Sequence, residues 1–97
     1  MISPDHSEEL ARFEQFLVNR LSPQQEKVLE MISTDGLSYK QVALAIDRNV
    51  KTVERTVTTI TRKYQDFYGS SEKNASFRRI LNRASCYYFF KDLLEKL

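Results

Sequence analysis

Turn-forming residues are scarce in this chain, with two glycines and two prolines among 97 residues. An all-β sandwich or barrel needs such residues at every reversal, so their scarcity points to helices. A single cysteine, Cys86, excludes an internal disulfide, and its place in a dense apolar run predicts a buried, inert thiol. The one histidine, His6, stands in a polar N-terminal segment and is assigned no role. No His and Cys residues cluster at metal-ligand spacing, so no metal is expected. Nor is there a glycine-rich phosphate loop, or a serine or cysteine with a histidine to activate it. An enzyme is not expected, and no cofactor. No run approaches the roughly 18 apolar residues of a membrane span. The opening MISPDHSEEL is acidic and polar where a secretory signal is basic and then apolar. These absences predict a cytoplasmic protein with no membrane partner.

What is present fits one domain over residues 1–97, with an ordinary hydrophobic fraction of 41%. The formal net charge is only +2, but it is unevenly spread. Residues 1–35 carry −4, residues 36–64 carry +4 and residues 65–97 carry +2. A basic middle in a near-neutral chain points to a face for a polyanion, or to a solvated face of mixed charge.

Apolar spacing predicts five helices. The first starts near Asp5 or Ser7 and carries Leu10, Phe13, Phe16, Leu17 and Leu21 on one face. Ser22-Pro23 ends it and opens the next, whose inner face is Val28, Leu29, Met31 and Ile32 and whose end is Asp35-Gly36. Ser38 and Gln41 form a capping box for a short third helix with Val42, Ala43, Ala45 and Ile46 inward. After a break at Asp47-Arg48-Asn49, Asn49 caps a fourth helix to about Phe67. Its stripe is Val53, Val57, Ile60, Tyr64 and Phe67. Five threonines within it lower helix propensity, but the period is 3.6 and not two. Gly69-Ser70-Ser71 breaks the chain before a last helix over residues 75–97. That helix is apolar over too much of its circumference for one packing surface, so it is sandwiched or shared with a partner.

A short helix, a tight turn and a longer helix with a polar outer face make a helix-turn-helix, whose second helix enters the major groove of DNA. Ala43 lies where the two helices approach, with Ile46 and Val53 as pins across the turn. Lys51, Glu54, Arg55, Thr58 and Thr59 are the expected base-contacting residues. Arginine suits guanine edges, and threonine offers a methyl and a hydroxyl. Ser38, Tyr39, Lys40, Arg48, Arg62 and Lys63 are the expected phosphate contacts. Arg78, Arg79 and Arg83 extend that track or form a solvated basic face. The run Tyr87-Tyr88-Phe89-Phe90 lacks interleaved basic residues and reads as core or dimer interface, not as a platform for stacked bases. Tyr87, Phe90, Leu94 and Leu97 are the expected self-association residues.

The stretch from Leu21 to Tyr64 resembles the helix-turn-helix shared by LuxR-type regulators and region four of sigma factors. The segments L-S-P, V-L, G-L-S-Y-K-Q-V-A and K-T-V stand in register with the LuxR-type pattern, and D-R-N-V-K-T-V is similar to sigma region four. Where the LuxR-type pattern has Lys and His one turn into its second helix, this chain has Glu54 and Thr56. The loop Ser33-Thr34-Asp35 is also one residue longer, so the likeness leans to the sigma branch. The resemblance implies a regulator of transcription that binds double-stranded DNA, with a tetrahelical core over residues 21–67 in an all-α protein. A monomer of this size makes few base contacts, so a homodimer on two half-sites is expected, with the apolar helix over residues 75–97 as its dimerisation element. The alternative is a small adaptor or antagonist that binds RNA polymerase or another regulator through the same module. Ninety-seven residues do not hold the part of a sigma factor that melts DNA, so the expectation is either a small regulator that reuses the module or a fragment of something longer.

Overall fold

The computed structural model describes residues 4–97, with side chains from Ser7 onward. The expected Asp5 cap and His6 lie outside the described side chains. Five helices follow one another: α1 (Pro4–Arg20), α2 (Pro23–Ser33), α3 (Tyr39–Ala45), α4 (Val50–Tyr68) and α5 (Phe77–Glu95). A 3₁₀ turn, Gly69–Glu72, follows α4 directly, and no strand occurs among the described residues. The protein is all-α.

Local chemistry sets the helix starts. Ser22 accepts from Gln25 N–H at 3.2 Å, while the Gln25 side chain accepts from Ser22 N–H at 3.0 Å. Ser38 and Gln41 repeat this reciprocal arrangement at the head of α3, at 3.2 and 2.9 Å. Asn49 caps α4 by accepting from Thr52 N–H at 2.8 Å. Each cap satisfies an amide that the first turn of a helix otherwise leaves unpaired. The turn between α3 and α4 passes through Asp47 at φ 56°, a left-handed conformation that aspartate tolerates better than most residues. Gly69, at φ 75°, reverses the chain after α4 without a Cβ penalty.

Two cores form, joined by α2 and α4. In the first, Phe13, Phe16 and Leu17 of α1 meet Ile60 and Tyr64 of α4, Leu29 of α2, and Ile80, Ala84, Tyr87 and Tyr88 of α5. Phe16 sits edge-on to Tyr64, with centroids 5.5 Å apart at 89°. In the second, Val28 and Met31 of α2, Val42 and Ala43 of α3 and Val53 of α4 close around the helix-turn-helix. Ile46 packs against it, so the pins Ile46 and Val53 stand where their spacing put them.

Two expectations need correction. Cys86 is exposed, because the covered stripe of α5 is Ile80, Ala84, Tyr87 and Tyr88, and residue 86 falls on the opposite side. Ala45 is also exposed, since α3 ends there and only Val42 and Ala43 reach the second core. The expected break at Gly69-Ser70-Ser71 separates α4 from α5, and it forms a structured turn whose last residue, Glu72, is buried at 6% exposure. Its carboxylate accepts from Arg79 Nε at 2.7 Å, Arg83 Nη2 at 3.1 Å and the Tyr64 hydroxyl at 3.1 Å. Arg79 and Arg83 are therefore committed to this internal carboxylate, neither a free phosphate track nor a purely solvated face. Arg78 alone of the three is exposed without a carboxylate partner among the described residues.

Candidate nucleic-acid interface

Helix α4 has a sharply divided circumference. Val53, Val57, Ile60 and Tyr64 are buried on one side. At 100° per residue, Lys51, Arg55, Thr58 and Arg62 fall together on the other, and all four are exposed. The stripe runs about 16 Å at 1.5 Å per residue, long enough to follow a groove across several base pairs. Among the described residues, no carboxylate pairs with Lys51, Arg55 or Arg62. The cations are fully available to an outside anion.

The remaining candidates divide. Glu54 is exposed on the flank of the stripe that faces α3, where its charge raises the pKa of Tyr39 after burial has already done so. Thr59 is half-buried on the other flank. Ser38 is occupied as the α3 cap but keeps a hydroxyl proton to donate, and Lys40 beside it is exposed. Tyr39 is half-buried with its ring against the second core. Arg48 is exposed in the turn, where its N–H donates to Ala43 C=O at 2.9 Å. Lys63 turns away from the stripe, because its Nζ donates to Gln25 Oε1 on α2 at 2.9 Å. That contact ties α4 to α2 and engages one of the three ammonium protons of Lys63.

The threonines also settle into defined roles. Thr56, Thr58 and Thr61 each donate their hydroxyl proton to the carbonyl four residues earlier, at 2.9, 3.1 and 2.9 Å. This gives β-branched residues a compatible rotamer within the helix. It also limits Thr58 at a DNA surface to its methyl group and its oxygen lone pairs. Of the self-association candidates, Tyr87 is unavailable: its ring packs 5.6 Å from Phe13 and its hydroxyl donates to Glu14 at 3.0 Å. Phe90 is half-buried, and Leu94 and Leu97 are exposed.

The clamp on Glu72 escapes local pattern reading. Glu72 lies seven residues before Arg79 and eleven before Arg83, across a turn, so no helix-face spacing joins them. Arg12, Arg20 and Arg83 likewise find aromatic faces on Phe67 and Tyr68, at 5.1 to 5.7 Å from the ring centroids. These cations brace the body of the protein, apart from the exposed polar faces of α3 and α4.

Residues 15–58 match the family model described as sigma-70, region 4. The matched stretch opens within α1 and ends at Thr58, and so takes in α2, α3 and the first half of α4. The likeness is to the sigma kind, and nothing in it supports a LuxR-type base preference. Neither a curated protein nor a solved structure matches the chain. No helix among the described residues is long and apolar enough to cross a membrane.

Proposed function

We propose that the protein regulates transcription by binding double-stranded DNA, with α4 in the major groove. The observation that carries this reading is the unpaired cationic stripe of Lys51, Arg55 and Arg62 on the second helix of a helix-turn-helix. Arg55, at its centre, reads a guanine edge, and the Thr58 methyl packs on a thymine methyl. Lys51 and Arg62, at its two ends, contact phosphates, with Lys40, Arg48 and the Ser38 hydroxyl holding the backbone alongside α3. The similarity of residues 15–58 to sigma-70 region 4 supports the same assignment.

Selection of bound sequences from a random duplex pool at about 0.15 M salt tests it. An enriched motif supports sequence-specific recognition, and Arg55→Ala then relaxes preference at one base pair. Each phosphate neutralised contributes about −0.9 to the log–log salt slope, so Lys51→Ala and Arg62→Ala each flatten the slope by about that amount. No enrichment by the folded protein would overturn the proposal and favour an adaptor that binds RNA polymerase or another regulator. Leu44, 76% exposed on α3, is the feature such an adaptor would use.

A further inference from the structure

We infer that the track holding the DNA backbone continues past α3 onto α5, where Arg78, with Asn82 and Tyr39, takes a phosphate beside the site read by α4. This rests on the DNA-binding reading. It adds a contact from outside the stretch similar to sigma-70 region 4, which ends at Thr58. The three arginines at the head of α5 are not equivalent. Arg79 and Arg83 stand one turn apart and share the Glu72 carboxylate. Arg78 is rotated about 100° from Arg79 around the helix and falls on another line, with Asn82 and Ser85. The Ser85 hydroxyl donates to Ser33 C=O at 2.9 Å, which lays this line against the end of α2. Arg78 and Asn82 are both exposed. Glu9 borders the cleft on the α1 side of Arg78, but the two form no ion pair.

Two observations join Arg78 to the face of α3 and α4. The first is a shared groove. Arg78, Asn82 and Tyr39 line an open groove of about 570 Å³ over Ile32, Phe77 and Leu81, and no carboxylate lines it. The second is the place of Tyr39, the first residue of α3, between Ser38 and Lys40. Burial raises its pKa, and Glu54 of α4 raises it further, so its hydroxyl stays protonated and stands near the outer face of α4. Tyr39 thus lies between that face and Arg78. The groove offers a guanidinium fork, an amide N–H₂ and a phenolic hydroxyl, with no competing negative charge. Two parallel N–H groups of a guanidinium match two oxygens of a phosphate. Continuity selects the occupant, because a strand held by Ser38 and Lys40 at the head of α3 passes the mouth of this groove.

Fluorescence anisotropy titrations against a mixed-sequence duplex of about three helical turns, repeated from about 50 to 200 mM salt, test the inference. A phosphate contact acts on every sequence alike, so no selected site is needed. Arg78→Ala should flatten the log–log salt slope by about 0.9, so that this rise in salt weakens it about 3.5-fold less than wild type. Arg78→Lys should keep the slope but bind more weakly, since the charge stays and the fork is lost. Asn82→Ala should weaken binding with the slope unchanged. Lys91→Ala removes the same charge from an exposed site about 20 Å further along α5 and should keep the wild-type slope. A cation in the first turn of a helix opposes the helix dipole, so Arg78→Ala should melt no lower than wild type. A wild-type slope in Arg78→Ala would overturn the inference. So would an equal flattening in Lys91→Ala, which would make the effect one of overall charge. If Lys51→Ala flattens the slope and Arg78→Ala does not, the reading of α4 stands without α5. A folded wild type that binds no duplex at any of these salt concentrations would overturn both.

Discussion

Replacing Glu72 with glutamine keeps the shape of the side chain and removes its charge from the junction of α4 and α5. The carboxylate is buried, and it accepts from Arg79, Arg83 and the Tyr64 hydroxyl. A glutamine presents one oxygen and one N–H₂ group to these donors, so at least one cation faces another donor. Hydrogen bonds to charged groups contribute about 1.5–3 kcal/mol each when buried. The Arg79 side chain is 54% exposed and the Arg83 side chain 26%, so solvent screening discounts both. The net loss comes to about 2–3 kcal/mol, which for a domain of this size lowers Tm by roughly 10–20 °C. The effect must also depend on pH. The Arg79 hydrogen bond, with help from Tyr64 and Arg83 against the cost of burial, holds the Glu72 pKa below its ordinary value of 4.5. A depressed folded-state pKa means that the stabilisation is complete above the unfolded value and is lost as pH falls through the folded one. Thermal unfolding followed by circular dichroism at pH 7 and at about pH 3 tests this directly. The gap between wild type and Glu72→Gln should be wide at pH 7 and narrow in acid. Equal melting temperatures at pH 7, or a gap that does not change with pH, would refute the reasoning.

Further expectations concern the DNA face and the cores. Arg55→Ala should weaken binding to a selected site by roughly 1–3 kcal/mol while leaving non-specific binding nearly as before, read by titration against specific and scrambled duplexes. Asn49→Ala removes the α4 cap and should cost about 1 kcal/mol of stability in denaturant unfolding. Phe16→Ala, at a fully buried ring touching Tyr64 and Phe67, should cost about 3–5 kcal/mol in the same assay. Asp47→Gly should be neutral or stabilising by a few tenths of a kcal/mol, because the residue sits at positive φ.

How far the sequence carries can be judged from the elements themselves. The caps at Ser22, Ser38 and Asn49 were legible because capping chemistry is local: donor and acceptor lie three residues apart. The buried stripe of α4 was legible because only one side of that helix is apolar, so period and orientation come together. Subtracting that stripe leaves Lys51, Glu54, Arg55, Thr58, Thr59 and Arg62, of which Lys51, Arg55, Thr58 and Arg62 share one exposed line. The contact of Lys63 with Gln25 was not legible, because the two lie 38 residues apart on different helices. Glu72 was missed for a related reason, its cations being brought to it by a turn whose path no spacing rule describes.

The last helix shows where periodicity stops. Apolar residues occur on two sides of α5, and a pattern that satisfies two stripes cannot say which one the rest of the chain covers. Tyr87 and Phe89 are equally plausible core residues by composition, and only the packing of α1 separates them. Phe13 takes the Tyr87 ring and Glu14 takes its hydroxyl, which turns Cys86 and Phe89 outward. An apolar excess on two sides of one helix therefore leaves its orientation to be set by the packing of the other helices, which no spacing along α5 records.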